Sequence, residues 1–404
     1  KYKGAPAPRC KPAVFRYPLS WGVPQAPECS LKFTRNVIMT KKLSYHNVNK
    51  TPYLTWNWLK MNRGILETEI DTSVVPCAKI RGATEGLILY KDDGSGCAEI
   101  AELEEKLPFM AQSSSTDTTD IINSLNSVKF ALTAQKKCTE PVILDFELKD
   151  GQTYSGRQIV IAEENSEITV IMNYTSLPFD GGFCAIQTKL WAKPYSKIHL
   201  VKVQLLGQKY THLDDTQFFA EDNASIKVTQ IELGSKQVFA NVTCALSGYA
   251  SNFTSETAYT AKNEQNFDIN YCVSHTGKNT ESKMSIKGTL LDNAKKLYRG
   301  TIDFKRGCEG SKGNEYEETL LTSPTAVNRS IPMILCGEEN VEGAHGGNLG
   351  NLGNEELFYF QSRGIDEKAA KSIMTRAKIM EAASQIPDEK TVGQIKAFIG
   401  EEEN

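Results

Sequence analysis

His345 is the residue whose type and surroundings first suggest chemistry. It lies in the segment VEGAHGGNLGNLGNEELFYFQSRGI (residues 341–365), where glycines follow it directly and an apolar helical pattern begins a few residues later. Three interpretations compete: a phosphate-binding loop, a metal or cluster site, and a glycine-rich junction with a tight bend. The glycine run over 346–353 lacks the G-x-G-x-x-G spacing and follows no strand–helix–strand pattern, which argues against dinucleotide binding. On residue types alone, flexible backbone at a junction is the plainest interpretation.

The remaining chemistry-bearing residues form no complete catalytic motif. The five histidines give neither H-x-x-x-H nor H-E-x-x-H, and the ten cysteines are scattered without a C-x-x-C pair, so spacing supports no zinc or ferredoxin-type site. Neither a G-x-x-x-x-G-K-[ST] loop nor a G-x-S-x-G elbow occurs. Sequence spacing does not exclude a catalytic triad, because the fold can bring its three residues together from distant positions. We nevertheless predict that the chain is not a self-sufficient enzyme.

Two cysteines and two carboxylates upstream of His345 are further candidates. Cys336 ends an apolar strand pattern and is a candidate second metal ligand, the alternative being a buried structural thiol. Cys308, in the polar stretch KRGCEGSKGNE, is expected to be more exposed. Glu317 and Glu318 offer hard oxygen ligands for iron, or else form a solvated strand edge.

Composition narrows the class of partner and compartment. The 404 residues carry a net charge of −3, and this near-neutral balance argues against a dedicated nucleic-acid binder. No apolar run approaches the roughly 20 residues of a membrane-spanning helix. Scattered cysteines, without the pattern of a secretory signal, indicate a reducing, cytoplasmic compartment.

The elements that must position these residues fall into four parts. Residues 1–38 read as a basic, proline-rich extension of doubtful structure ahead of Met39, and 39–140 as a mixed region with amphipathic helices at CAEIAELEEKL and TTDIINSLNSVKFALTAQ. Residues 141–345 consist of successive strand patterns, which predict either an antiparallel sandwich or a β-solenoid. Residues 346–404 predict three helices, with Asn354, Asp366 and Asp388 near their starts.

The C-terminal third resembles a known family. The segment LYRGTIDFKRGCEGSKGNEYEETLLTSPTAVNRSIP, followed by VEGAHGGNLGNLGNEELFYFQSRGI, is similar to the SufB/SufD family of iron–sulfur cluster assembly proteins. The shared features are a strand with R-G-x-I, a Leu-Leu pair, an x-H-G element and L-F-Y-x-x-S-R-G-I. The resemblance covers about residues 43–400 and is strongest over 297–366. FYFQSRG, and the lack of a cysteine before Leu320-Leu321, favour the SufD branch.

The resemblance implies a fold, partners and a site. The fold is a right-handed parallel β-helix with an N-terminal mixed or helical region and a C-terminal helical domain. The partners are a SufB-like subunit and a SufC-like ATPase, with a homodimer as the state of the isolated chain. A transient Fe–S cluster or iron would meet the chain at the SufB interface, where the x-H-G histidine is His345, and none is expected to bind the isolated chain tightly. Contact with the ATPase is assigned to the first C-terminal helix, namely Leu357, Phe358, Tyr359 and Arg363.

Two other functions remain open at this stage. One is a SufB-like scaffold that holds a cluster by itself. The other is an extracellular β-solenoid that binds carbohydrate, which would require secretion.

Overall fold

The computed structural model describes most of the chain. The described residues are 40–55, 59–74, 78–82, 85–92, 96–108, 116–125 and 127–400. The extension predicted over 1–38 lies outside them. Within them, no helix is both long and apolar enough to cross a membrane.

Strands dominate the fold, with helices near both ends. The strands are β1 (Thr40–Val48), β2 (Gly64–Asp71), β3 (Ala78–Arg81), β4 (Leu87–Asp92), β5 (Val128–Ala134), β6 (Val142–Glu147), β7 (Gln152–Ala162), β8 (Glu167–Thr175), β9 (Gly181–Ala192), β10 (Lys197–Leu205), β11 (Lys209–Ala220), β12 (Ser225–Glu232), β13 (Gln237–Leu246), β14 (Asn252–Ala261), β15 (Asn266–His275), β16 (Glu281–Leu290), β17 (Lys295–Phe304), β18 (Lys312–Leu321), β19 (Val327–Cys336) and β20 (Glu342–Gly350). The helices are α1 (Ala98–Lys106), α2 (Thr116–Asn123), α3 (Asn354–Ser362), α4 (Glu367–Ala383) and α5 (Glu389–Gly400).

From β5 onwards the chain winds into a parallel β-solenoid of about eight coils. The even-numbered strands β6 to β20 form one sheet and the odd-numbered strands β5 to β19 form the other, so each coil contributes one strand to each. All pairs from β5 to β20 are parallel, whereas β3 and β4 cap the first coil in antiparallel pairs. The solenoid prediction is confirmed, and the sandwich alternative is wrong because a sandwich needs antiparallel neighbours.

Side chains of equal register stack inside the solenoid. Val170, Leu200 and Val228 occupy the same position on three successive strands and are all buried. Branched and aliphatic side chains suit such a pleated, fully enclosed surface. The interior is therefore a continuous apolar column, and the polar groups embedded in it are exceptions that need a physical reason.

The helices cover the outer faces of the two sheets. The helices α4 and α5 pack on the even-numbered sheet, through Ile379 and Ile395 against Val201 and Ile231. The hairpin β1–β2 and helix α2 pack on the odd-numbered sheet, which buries Leu213. Helix α4 contacts β12, β14 and β16, so it lies across several coils.

Three local predictions need comment. The amphipathic pattern around TTDIINSLNSVKFALTAQ is helical only as far as Asn123, because its second half pairs as strand β5 in the first coil. The glycine-rich segment after His345 is not a flexible junction: it continues as strand β20 to Gly350. Asp366 and Asp388 accept backbone hydrogen bonds at the starts of α4 and α5 as predicted, but the cap of α3 is Gly353, one residue before the predicted Asn354.

Candidate functional site

The C-terminal end of the solenoid is open. Strands β19 and β20 are the outermost members of their sheets, and no strand among the described residues pairs beyond them. His345 lies in β20 and is exposed. It pairs in register with Glu315 of β18, whose side chain faces the interior, so His345 lies on the inward-facing row of the last coil, which no described residue covers at this position.

Among the described residues, none lies so close to Gly346 or Gly347 that a side chain there would clash. A Cβ at Gly346 would approach the Tyr316 ring at 3.6 Å, and one at Gly347 would approach the Glu317 carbonyl oxygen at 3.6 Å, both ordinary contacts. Neither residue has a positive φ. Because glycine has no side chain, nothing projects from the open end at positions 346 and 347, and this suits close approach by another surface.

Glu315 is the residue that sequence reasoning missed. Its carboxylate is buried above Gly300, where a side chain would clash with it. Burial raises the pKa of Glu315 to about 7, and the nearby Glu317 carboxylate adds to this rise. Its Oε2 atom has no hydrogen-bond partner among the described residues. The alternation in GNEYEETLL could have revealed an inward row of Gly313, Glu315 and Glu317, but acidic residues are not expected inside a core.

Glu317 is also buried, but its carboxylate is fully engaged. It forms an ion pair with the buried Lys296 and accepts hydrogen bonds from Ser330 and, at 3.2 Å, from the Thr319 hydroxyl. The Lys296 ammonium also lies 5.5 Å and 5.4 Å from the ring centroids of Tyr259 and Tyr298. The alternative of a solvated strand edge is wrong for Glu317, because its side chain points into the solenoid.

The other upstream candidates lie elsewhere. Glu318 faces outward and pairs with Lys378 of α4. The two cysteine expectations are reversed: Cys308 is buried, whereas Cys336 is exposed and donates from Sγ to the Glu338 carbonyl oxygen at 3.1 Å. The corner that carries Cys308 is covered by the next coil, but Cys336 belongs to the last coil and has no such cover.

Three of the four predicted partner-binding residues lie on helix α3, and the fourth, Arg363, follows it directly. Phe358 is 72% exposed and Tyr359 58% exposed, and Leu357 is half-buried. The Arg363 guanidinium, which follows the helix, stacks over the Tyr359 ring at 5.2 Å. Two large exposed aromatic side chains on one short helix form a surface that suits a protein partner.

Chemically, the open end offers an imidazole next to a carboxyl group that titrates near neutrality. Imidazole nitrogen and carboxylate oxygen are both accepted by Fe²⁺, which is a borderline ion. Glu315 has no ion-pair partner of this kind in the described part of the chain, whereas the Glu317 carboxylate is held by Lys296. His345 and Glu315 occupy adjacent register positions on the inward-facing row of the last two strands of their sheet.

Comparisons with known proteins bear on this end of the molecule. Residues 146–378 match the family model described as the SufBD core domain of the SUF system for FeS cluster assembly. The chain is 24% identical to a chloroplastic iron–sulfur cluster assembly SufBD family protein of Arabidopsis thaliana, over 66% of this chain and 51% of that protein. It is 24% identical to a SufBD family protein of Synechocystis, over 74% of this chain and 66% of the relative. A SufBD family protein of Staphylococcus epidermidis is 22% identical over 58% of this chain and 51% of its own length. The chain thus spans about half the length of two of these relatives.

Proposed function

Because this chain belongs to the SufBD family of the SUF iron–sulfur cluster assembly system, we propose that it acts as a SufD-like, non-catalytic subunit of an assembly complex. The observation that carries the proposal is the inward row at the open end. By resemblance, the SufB branch has a scaffold cysteine just before its Leu-Leu pair, whereas this chain has the buried, ion-paired Glu317 there. A side chain held in this way is unsuited to carry sulfur, so we expect another subunit to supply the thiolate that this position lacks.

The cluster, or the iron that enters it, is the cargo of this site. His345 would supply one nitrogen ligand and Glu315 an oxygen ligand or a proton acceptor, both from the open end of the solenoid. Cys336, exposed on the last coil, stays a candidate sulfur ligand. We expect the isolated chain to bind no cluster tightly, because each of these groups supplies a single ligand atom.

Two protein partners follow from this proposal. A SufB-like subunit would face the open end, where glycines allow close approach, and in its absence two copies of this chain would pair there. A SufC-like ATPase would contact the exposed aromatic side chains of α3, near Arg363. ATP hydrolysis would reside in that partner, since the sequence has no G-x-x-x-x-G-K-[ST] loop of its own.

The alternative within the family is a SufB-like scaffold. It would hold a cluster on the isolated chain, and the same open end would be its site. The carbohydrate-binding alternative has no counterpart among the matched relatives, which are described as cluster assembly proteins.

The compartment is part of the proposal. The seven cysteines within the described residues are free thiols, which suits a reducing compartment such as the cytoplasm. The Arabidopsis thaliana relative is described as chloroplastic, so a plastid is the other compartment to examine by localising a tagged chain.

The function is tested by co-expressing the chain with SufB-like and SufC-like subunits. We expect one complex that forms clusters when supplied with iron and sulfide, and an isolated chain that forms none and hydrolyses no ATP. His345→Ala should lower the rate of cluster formation at least tenfold without altering complex assembly. His46→Ala, a change at an exposed histidine of β1, is the matched control. Cys336→Ser tests the thiol separately.

Two outcomes would contradict the proposal. If the chain fails to co-purify with the ATPase subunit, the SufD-like role is wrong. If the isolated chain holds a stable, visible-absorbing cluster after anaerobic reconstitution, the scaffold alternative is correct.

A further inference from the structure

A second group of polar residues lies deep inside the solenoid, well away from the open end. His212 and Asp214 belong to β11 and Glu232 to β12, so the group joins the two sheets across the interior. All three side chains are buried. Four further coils of the odd-numbered sheet separate β11 from the open end, which places this group outside the site described above.

The geometry of the three side chains is that of a metal donor set. One ligand atom from each residue lies within 4.8 Å of the other two. His212 Nε2 and Asp214 Oδ2 are 3.9 Å apart, which is too long for a hydrogen bond. Two ligands at roughly 2.1 Å from one ion lie about 3.4 Å apart in a tetrahedral site and about 4.2 Å apart when opposite each other. The observed separation falls between these values.

Unpartnered polar atoms give a second, independent observation. Neither ring nitrogen of His212 has a hydrogen-bond partner among the described residues, and neither does Asp214 Oδ2. Any protonation state of the ring has at least one N–H that needs an acceptor, and leaving a buried polar group unpaired is unfavourable. Tyr174 packs its ring against the imidazole at 5.4 Å but leaves both nitrogens unpaired. The ring is therefore fixed in place with its ligating atoms unused.

Neighbouring residues orient the two carboxylates. The Gln230 and Gln204 amides donate to Glu232 at 2.7 Å and 3.2 Å, one to each oxygen. The Lys202 ammonium binds Asp214 Oδ1, which leaves Oδ2 as the atom nearest His212. Hydrogen-bonded support of this kind is what holds ligands in productive orientation at metal sites. Lys202 also keeps one positive charge close by, so the two carboxylates offset two of the three positive charges that are present once a divalent cation is bound.

We propose that His212, Asp214 and Glu232 bind one divalent first-row transition metal ion inside the solenoid, independently of His345. One imidazole nitrogen and two carboxylate oxygens suit Zn²⁺, Fe²⁺ or Mn²⁺. Because the site is enclosed, the ion enters while the coils form and exchanges slowly afterwards. Its role is to link the two sheets at mid-length.

The test uses Zn²⁺ and the full chain. The chain is refolded with Zn²⁺, treated with EDTA, passed through a desalting column and analysed for bound metal. Expression in zinc-supplemented medium gives a parallel sample. To remove the open-end ligands from the measurement, all variants carry His345→Ala and Cys336→Ser. This background should retain about one zinc per chain and unfold at a higher urea concentration than the same protein refolded without metal.

Two isosteric changes and one control identify the site. His212→Gln and Glu232→Gln should each reduce retained zinc at least tenfold, and either one suffices if the other does not fold by circular dichroism. His275→Gln is the control, because His275 is also buried in the interior but both its ring nitrogens are paired, with Thr280 and Ser282. It should retain zinc. A folded background protein with less than a tenth of an equivalent of zinc, or folded His212→Gln protein that keeps its zinc, would overturn the proposal and make the group a purely polar cluster.

Discussion

Breaking the Lys296–Glu317 ion pair should destabilise the open end of the solenoid strongly. The two side chains are 0% and 5% exposed, so each charge depends on the other. Lys296→Met leaves the Glu317 carboxylate buried with hydrogen bonds but without a counter-charge, and removing one partner of a buried pair typically costs about 3–5 kcal/mol. Glu317→Gln should cost less, because the two tyrosine rings near Lys296 each supply about 1 kcal/mol of cation–π stabilisation.

The double variant separates the interaction between Lys296 and Glu317 from the other contacts that each residue makes. Lys296→Met with Glu317→Gln removes both charges of the pair and should lie within about 2 kcal/mol of the wild-type chain, because replacing both partners is often close to neutral. The coupling energy is therefore expected to be about 2 kcal/mol or more. Urea unfolding at pH 7.5, followed by circular dichroism, gives the four free energies, and an unchanged slope against urea shows that the unfolded state is comparable.

A surface pair provides the matched control. Lys79 and Glu147 are 2.5 Å apart but 67% and 57% exposed, so the same cycle of substitutions there should give a coupling below about 1 kcal/mol. If Lys296→Met falls within 1 kcal/mol of wild type, or if the two cycles give equal coupling, then Glu317 is not committed to Lys296. It would then be a free ligand at the open end.

Three further predictions follow from single residues. Glu315→Gln should lower the rate of cluster formation by the assembled complex several-fold while changing the free energy of unfolding by less than about 1 kcal/mol. Equal rates for the variant and the wild-type complex would show that Glu315 takes no part in the site. Burial lowers the pKa of His275 to about 4, so this residue stabilises the fold above pH 6.5 and that contribution is lost as the pH falls towards 4. Between pH 7.5 and pH 5 the free energy of unfolding of the His275→Gln variant should therefore fall by about 2 kcal/mol less than that of the wild-type chain. Urea unfolding at both pH values measures the two losses, and equal losses would contradict this prediction. Phe358→Ser should weaken binding of the ATPase subunit at least tenfold by calorimetry with little effect on stability, whereas Phe179→Ser, at a 74% exposed position on the solenoid, should leave binding unchanged.

The sequence determined much of the fold but only part of the site. Alternating strand patterns predicted a β-structure, yet alternation is the same in a sandwich and a solenoid, and the pairing partner of each strand decides between them. The family resemblance supplied that information. The helix predicted through Val128 and Leu132 failed for a related reason, because pairing with β7 outweighs local helical periodicity.

Exposure at the open end could not be predicted from residue types. A thiol in a polar loop, Cys308, is buried because the next coil stacks over its corner, and a thiol on an apolar strand, Cys336, is exposed because no coil follows. Glu317 also differs from the expectation that an acidic strand residue faces solvent. It is buried because Lys296, from the opposite sheet, supplies a counter-charge for its carboxylate. The two cysteine outcomes depend on whether another coil follows, and the Glu317 outcome depends on a residue of the opposite sheet, so neither can be predicted from the neighbouring residues in the sequence.

Helix α4 gives the solenoid a mechanical property that a bare stack of coils lacks. Its 17 residues extend about 26 Å, and strands about 4.8 Å apart place roughly five of them beneath such a length. It contacts β12, β14 and β16 and reaches β18 through the Lys378–Glu318 pair. Stacked-repeat proteins ordinarily fray from a free end one unit at a time. Here the coils that contain β12 to β18 cannot peel away singly, because α4 crosses them, so a force applied to the C-terminal helices would move these coils together.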